Sequence, residues 1–347
     1  MASRPPRGRC GDVISHGLFL GKFMPPHRGH RFVCETALNM VDELTVLVCS
    51  TDAEPIDGAL RAAWMAKAIP GANIVHMHRD IPQEPADHPD FWEIWEAAIR
   101  EHAPQPISHV FGSEPYIFRL ANDLNATPVM IDPDREIYPV AASDIRDDPA
   151  EHWRDLLAPA RPYFQKRLCL LGPESSGKTV LARKLADTIG GRALPEYGRA
   201  YDVHYMQSGS EKGADWAEDG LVALARTHAA MRRAMAADAG PVLVEDTDII
   251  QTAIWAEHLL GQKSEILEAM IAKENLADHY IVLSPNVEWI DDGVRYAGGA
   301  QTRAWFYDAA VARLTALDVP FDIIQEGDWS AREEKAMEIL GHLMRRR

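Results

Sequence analysis

Two short stretches carry residue types suited to phosphate chemistry. Gly172 to Thr179, GPESSGKT, has glycines that let backbone N–H groups close around phosphates, a lysine that neutralises them, and a hydroxyl left for Mg²⁺. It reads as a Walker A loop. Gly172, Glu174, Ser175, Ser176, Gly177, Lys178 and Thr179 are therefore expected around ATP phosphates, with Thr179 also a metal ligand. Gly21 to His30, GKFMPPHRGH, is the second stretch. Pro25 and Pro26 stiffen a turn, and Gly29 relieves crowding at a helix entrance. His27 and His30 then lie together at a helix N-terminus, where unpaired N–H groups, the helix dipole and imidazole donors face one anion.

Each stretch needs a strand before it and a helix after it. RLCLL (Arg167 to Leu171) reads as a buried strand, and VLARKLADTIG carries helical spacing through Leu181, Leu185 and Ile189. From His16, GLFLG reads as a strand leading into GKFMPPHRGH, and FVCETALNMV follows with amphipathic spacing. Further candidates are weaker. PVLVEDTD (Pro241 to Asp248) is a strand running into acids, like a Walker B end, and Asp246 would accept a substrate proton or hold a water of the Mg²⁺ shell. Glu245 and Asp248 are helpers or helix-cap residues, and Asp248 is also a candidate substrate contact. In PEYGRAY, Glu196 and Arg199 are candidate substrate contacts. The segment with Asp291, Asp292, Gly293 and Arg295 suits a lid whose arginine neutralises a transferring phosphoryl group. Trp92 and Trp95 share one helix face and form either core packing or an aromatic wall for a flat ring.

The remaining pattern is α/β. LTVLVCS, NIVHMH and ISHVFG alternate with helices around Leu60 to Ala68 and Phe91 to Glu101, as two doubly wound parallel-sheet domains require. The prolines Pro149, Pro159 and Pro162 mark a joint near Ala160, giving a tail over 1–15, a first domain over 16–160 and a second over 161–347. A net charge of −16 disfavours a broad DNA or RNA footprint. Four scattered cysteines indicate neither a disulfide framework nor a zinc site and fit a reducing cytoplasm. No apolar run is long enough for membrane insertion. Homo-oligomerisation is left open.

GKFMPPHRGH resembles the GxFxPxHxGH signature of the nucleotidyltransferase superfamily, matched at Gly21, Phe23, Pro25, His27, Gly29 and His30. VAASDIR (Val140 to Arg146) resembles its ISxTxIR signature, with Ser143 and Arg146 in place and Ala141 where a serine is usual. The resemblance implies an N-terminal Rossmann-like nucleotidyltransferase in which Gly21, Lys22, Phe23, His27, His30, Ser143 and Arg146 bind ATP. Together with EPIDGALRAAWM, GPESSGKT, EYGRAY, VEDTD and IDDGVRY, the chain is similar to the bacterial bifunctional nicotinamide-nucleotide adenylyltransferase and ribosylnicotinamide kinase family over nearly everything after Gly17. What this implies is a C-terminal P-loop kinase that phosphorylates nicotinamide riboside through Lys178, Thr179, Asp246, Arg295 and Mg²⁺. The N-terminal domain would then convert nicotinamide mononucleotide and ATP to NAD and pyrophosphate, with Trp92 or Trp95 against the nicotinamide. Some members carry an N-terminal DNA-binding helix-turn-helix; about sixteen residues precede the first strand, too few for that module. Two rivals stand beside this reading: a coenzyme A-type phosphopantetheine adenylyltransferase and kinase, and a nucleotide-sensing regulator with decayed catalysis.

Overall fold

A computed structural model of the chain describes residues 14–103, 106–207, 216–288 and 299–345. The chain divides between Ala160 and Arg161 into two compact units. The first runs β1 (His16–Gly21), α1 (Arg28–Met40), β2 (Glu43–Ser50), α2 (Gly58–Ala68), β3 (Asn73–His78), α3 (Phe91–His102), β4 (His109–Gly112), α4 (Tyr116–Asp123), β5 (Thr127–Met130) and α5 (Ala142–Asp147). Its sheet is five-stranded and parallel, in the order β3-β2-β1-β4-β5. The chain reverses its direction of winding between β1 and β4, and the carboxyl ends beside such a switch point form a natural crevice for ligands. Gly21 ends β1 at that crevice.

The strands are apolar throughout because both faces of the sheet are covered. Phe19, Val46 and Val48 pack on one side with Val33, Cys34 and Ala37 of α1. Their neighbours Leu18, Leu47 and Cys49 pack on the other with Ala98 and Ile99 of α3. At Gly17 a Cβ would stand 2.7 Å from the Phe111 ring, so the close approach of the β4 side chain at this point of β1 requires glycine.

The second unit runs α6 (Arg161–Phe164), β6 (Lys166–Leu171), α7 (Lys178–Thr188), β7 (Ala193–Leu194), α8 (Tyr197–Gln207), α9 (Glu218–Met235), β8 (Val242–Asp246), α10 (Ile249–Leu260), α11 (Glu265–Ile271), β9 (His279–Leu283), α12 (Ala300–Ala316), β10 (Phe321–Ile324) and α13 (Trp329–Arg345). Its parallel sheet has the order β10-β9-β6-β8-β7. Alternation again divides the core: Leu168 and Leu170 of β6 face Leu181 and Leu185 of α7, whereas Cys169 and Leu171 face Ile250 and Ile254 of α10. The glycine-rich loop leaves the end of this central strand. Among the described residues no helix is long and apolar enough to cross a membrane.

Candidate active sites

In the first unit His27 occupies the N-cap position of α1 and His30 its first turn. The His27 backbone N–H donates to His30 Nδ1 at 3.2 Å, and the two rings stack with centroids 3.7 Å apart. Phe23, held at φ 48° and buried, meets His30 edge-on at 4.8 Å. Gly29 makes this pairing feasible, since a Cβ there would lie 3.0 Å from the His27 ring. Burial, reinforced by the Arg135 guanidinium, lowers His27 to about 4, and burial with the charge of His27 holds His30 well below the usual range. Both rings are thus neutral near pH 7. His27 Nδ1 is buried without a hydrogen-bond partner among the described residues, a polar atom open to a ligand.

The second signature comes to the same turn. Arg146 donates from Nη1 to the Met24 carbonyl, which ties α5 to the loop ahead of His27. Ser143 is exposed and donates to Asp144, and Asp144 accepts from the Ala141 N–H at 3.1 Å. The helix entrance is therefore satisfied by Asp144 in spite of the missing serine. Lys22 pairs with Glu54 at 3.2 Å, and Glu54 is held in turn by the wholly buried Arg61, which also donates to the Lys22 and Cys49 carbonyls. The two tryptophans part company. Trp95 packs on the core and donates its indole N–H to the Pro82 carbonyl at 2.8 Å, so its role here is structural. Trp92 remains half-buried beneath the Arg119 guanidinium, 5.6 Å from its ring centre.

In the second unit Gly172 and residues 174–179 line a cavity of about 340 Å³. Three loop residues take positive φ: Gly172 (141°), Ser175 (56°) and Gly177 (91°). A Cβ at Gly172 would stand 2.6 Å from the Leu283 carbonyl, and one at Gly177 would run into the Trp329 ring. The loop is pinned from outside. Gly172 N–H donates to Gln251 Oε1 at 3.1 Å, and Arg332 donates to the Ser176 carbonyl. Lys178 donates to the carbonyls of Gly172 and Pro173, each at 2.9 Å.

Glu174, Glu196, Arg199 and Thr179 share the cavity wall. Burial pushes Glu196 up to about 7, opposed by Lys178 and supported by the Asp246 charge. Asp246 is only 2 % exposed and does not itself line the cavity. Its oxygens have no partner in full hydrogen-bonding geometry among the described residues, although Lys178 and then Thr179 act against the rise that burial imposes. The neighbouring acids have structural work. Glu245 accepts from Arg167 Nε at 2.7 Å and forms an ion pair with its Nη2 at 2.6 Å. Asp248 caps α10 by accepting from Ile250 N–H at 2.9 Å and also accepts from the Tyr280 hydroxyl at 2.7 Å; it is a cap residue, not a wall of the cavity, which corrects its expected place among the substrate contacts. Arg295, with Asp291, Asp292 and Gly293, lies outside the described residues.

The apolar part of the cavity lining was not anticipated. Tyr197, Trp216, Leu221, Leu224, Trp255 and Leu259 form it, with His228 among them. A signal for two of the unforeseen residues exists in the sequence: His228 sits in the register of Leu221 and Ala225 on α9, and Arg332 in that of Ala336, Ile339 and Leu343 on α13. A polar residue in a buried stripe needs a reason. Gln251, Trp216 and Arg135 carry no comparable mark.

Comparison with known proteins bears on the whole chain. Residues 167–332 match the model of an AAA domain. The trifunctional NAD biosynthesis/regulator proteins NadR of Salmonella typhimurium and Escherichia coli K12 are each 26 % identical over 344 residues, covering 94 % of this chain and 83 % of theirs. The similarity to this NadR family therefore runs through both units. The fold agrees with that of a family structure, NadR in complex with NR, at TM-score 0.73 and 21 % identity over 97 % of this chain and 98 % of the other. A second, NadR in complex with NAD and AMP-PNP, gives TM-score 0.71 at 20 % identity over 96 % and 98 %.

Proposed function

We propose that the chain uses ATP twice in NAD synthesis: the second unit phosphorylates nicotinamide riboside, and the first joins the resulting nicotinamide mononucleotide to an adenylyl group. The observation that carries this reading is the lining of the second unit's cavity, which joins a phosphate loop to an apolar, aromatic set of residues. A ribosyl alcohol with a flat ring spans those two chemistries.

In the kinase step the 5′-hydroxyl attacks the γ-phosphorus of ATP, the bond to the β-phosphate oxygen breaks, and ADP leaves. Glu196 lines the cavity and has a pKa near neutrality, so it accepts the hydroxyl proton; Asp246, which does not line it, is better suited to the metal. The buried oxygens of Asp246, which have no partner in full hydrogen-bonding geometry among the described residues, and the Thr179 hydroxyl fit Mg²⁺, which when bound supplies charge neutralisation on the phosphates. Lys178 and the loop N–H groups orient the same phosphates.

In the adenylyl step a phosphate oxygen of nicotinamide mononucleotide attacks the α-phosphorus of ATP and pyrophosphate leaves. His27 and His30, neutral and set at the start of α1, act as positioned donors to the developing charge, and Arg146 and Lys22 approach from the adjoining turn. No protein nucleophile is required. Production and use of a phosphorylated pyridine nucleoside beside ATP implies a cytoplasmic setting, with which the buried free thiols of Cys34, Cys49 and Cys169 agree.

The test is direct. Mg-ATP and nicotinamide riboside should yield NAD with nicotinamide mononucleotide as the intermediate. Consumption of phosphopantetheine alone would overturn the assignment, and tight binding of both nucleotides without turnover would favour a sensing role.

A further inference from the structure

His228 stands out in the kinase cavity. It lies on α9, one further turn along the face that presents Leu221 and Leu224, and with Trp216 and Trp255 these make the apolar chamber. The residue is 5 % exposed, yet its Nε2 has no hydrogen-bond partner among the described residues. A buried imidazole nitrogen left unmatched is costly, whereas a leucine at this register would pack without that cost. The polar groups that suit a ribose, Glu196 and Arg199, line the wall beside the phosphate loop rather than α9. What reaches the aromatic chamber is the ring.

Resting on the proposed kinase reading, we infer that His228 is a specificity-determining residue that hydrogen-bonds the carboxamide on the pyridinium ring of the acceptor. The environment suits that partner. Burial, with the charges of Arg232 and Arg167, lowers His228 to about 4, so it meets a cationic ring as a neutral group and does not repel it. Both arginines are paired, Arg232 with Glu274 and Arg167 with Glu245, and neither replaces the imidazole as donor in the cavity wall.

The test compares nicotinamide riboside with the pyridinium riboside lacking the carboxamide, in the full-length wild type, His228→Leu and His228→Asn. His228→Leu should lower kcat/KM for nicotinamide riboside on the order of tenfold or more while leaving that for the unsubstituted riboside, and the KM for ATP, near wild type. His228→Asn, which keeps a hydrogen-bonding group, should recover part of the loss. Equal losses on both ribosides would place His228 on the ribose or in the fold and overturn the inference, as would no loss at all. A wild type that phosphorylates neither riboside would remove the kinase reading itself, and the inference with it.

Discussion

Arg332 of α13 donates through Nη1 to the backbone carbonyl of Ser176 at 2.9 Å, so a helix more than 150 residues further along the chain holds the phosphate loop from beneath. The same guanidinium donates to the Ser284 carbonyl and hydroxyl, each at 3.0 Å, and to the Glu326 carbonyl. Arg332 is 1 % exposed, and its loss would strand several buried acceptors. Arg332→Leu is expected to destabilise the second unit by about 3 kcal/mol and to depress phosphorylation, with adenylyl transfer retained. Chemical denaturation and separate assays of the two half-reactions check this.

The two chemistries should separate cleanly by mutation. Lys178→Ala should reduce the kinase rate by roughly 10²–10³-fold and spare adenylyl transfer, and His30→Ala should do the reverse. The readout is conversion of nicotinamide riboside to its mononucleotide against conversion of the mononucleotide to NAD. Loss of both activities in either variant would contradict independent sites.

The kinase reaction should carry an acid limb set by Glu196. The carboxylate is the form that accepts a proton, and its pKa is about 7, so kcat/KM for the riboside should rise as pH climbs through that value. In Glu196→Gln the limb should vanish and the rate fall by roughly 10²–10⁴-fold. Asp246→Asn should instead raise the Mg²⁺ concentration needed for half-maximal rate. A retained limb in Glu196→Gln would move the base elsewhere.

Two buried histidines should make stability fall in mild acid. His27 and His228 both have folded values of about 4 against an ordinary 6.5, so between these limits the unfolded chain binds more protons. Their contribution is present in full above about pH 6.5 and is lost as pH drops toward 4, at most about 3 kcal/mol each. Thermal unfolding across this range should show the decline, and His228→Leu should flatten part of it in the second unit.

Much of this arrangement can be read from the chain before any coordinates. Strands such as LTVLVCS and RLCLL are apolar at successive residues because both sheet faces are covered, and both phosphate-binding turns follow such strands directly. The edges are harder. β5 holds only four residues, Pro128 among them, and pairs with β4 alone; β7 has two residues. Such short strands acquire their identity from a neighbour rather than from their own pattern. Side-chain roles are harder still. VEDTD offers three acids in four residues, and only the third dimension gives Glu245 to Arg167, Asp248 to Tyr280 and the start of α10, and sets Asp246 against Lys178 and Thr179.

Lys178 already has oxygen partners, the carbonyls of Gly172 and Pro173, supplied by its own loop. A nucleotide arriving there would trade carbonyl oxygens for phosphate oxygens around an ammonium that is never without acceptors. The exchange swaps like for like, so most of the selectivity of that loop for phosphate must come from the added negative charge. Discrimination between one acceptor and another is left to the aromatic residues of the same cavity.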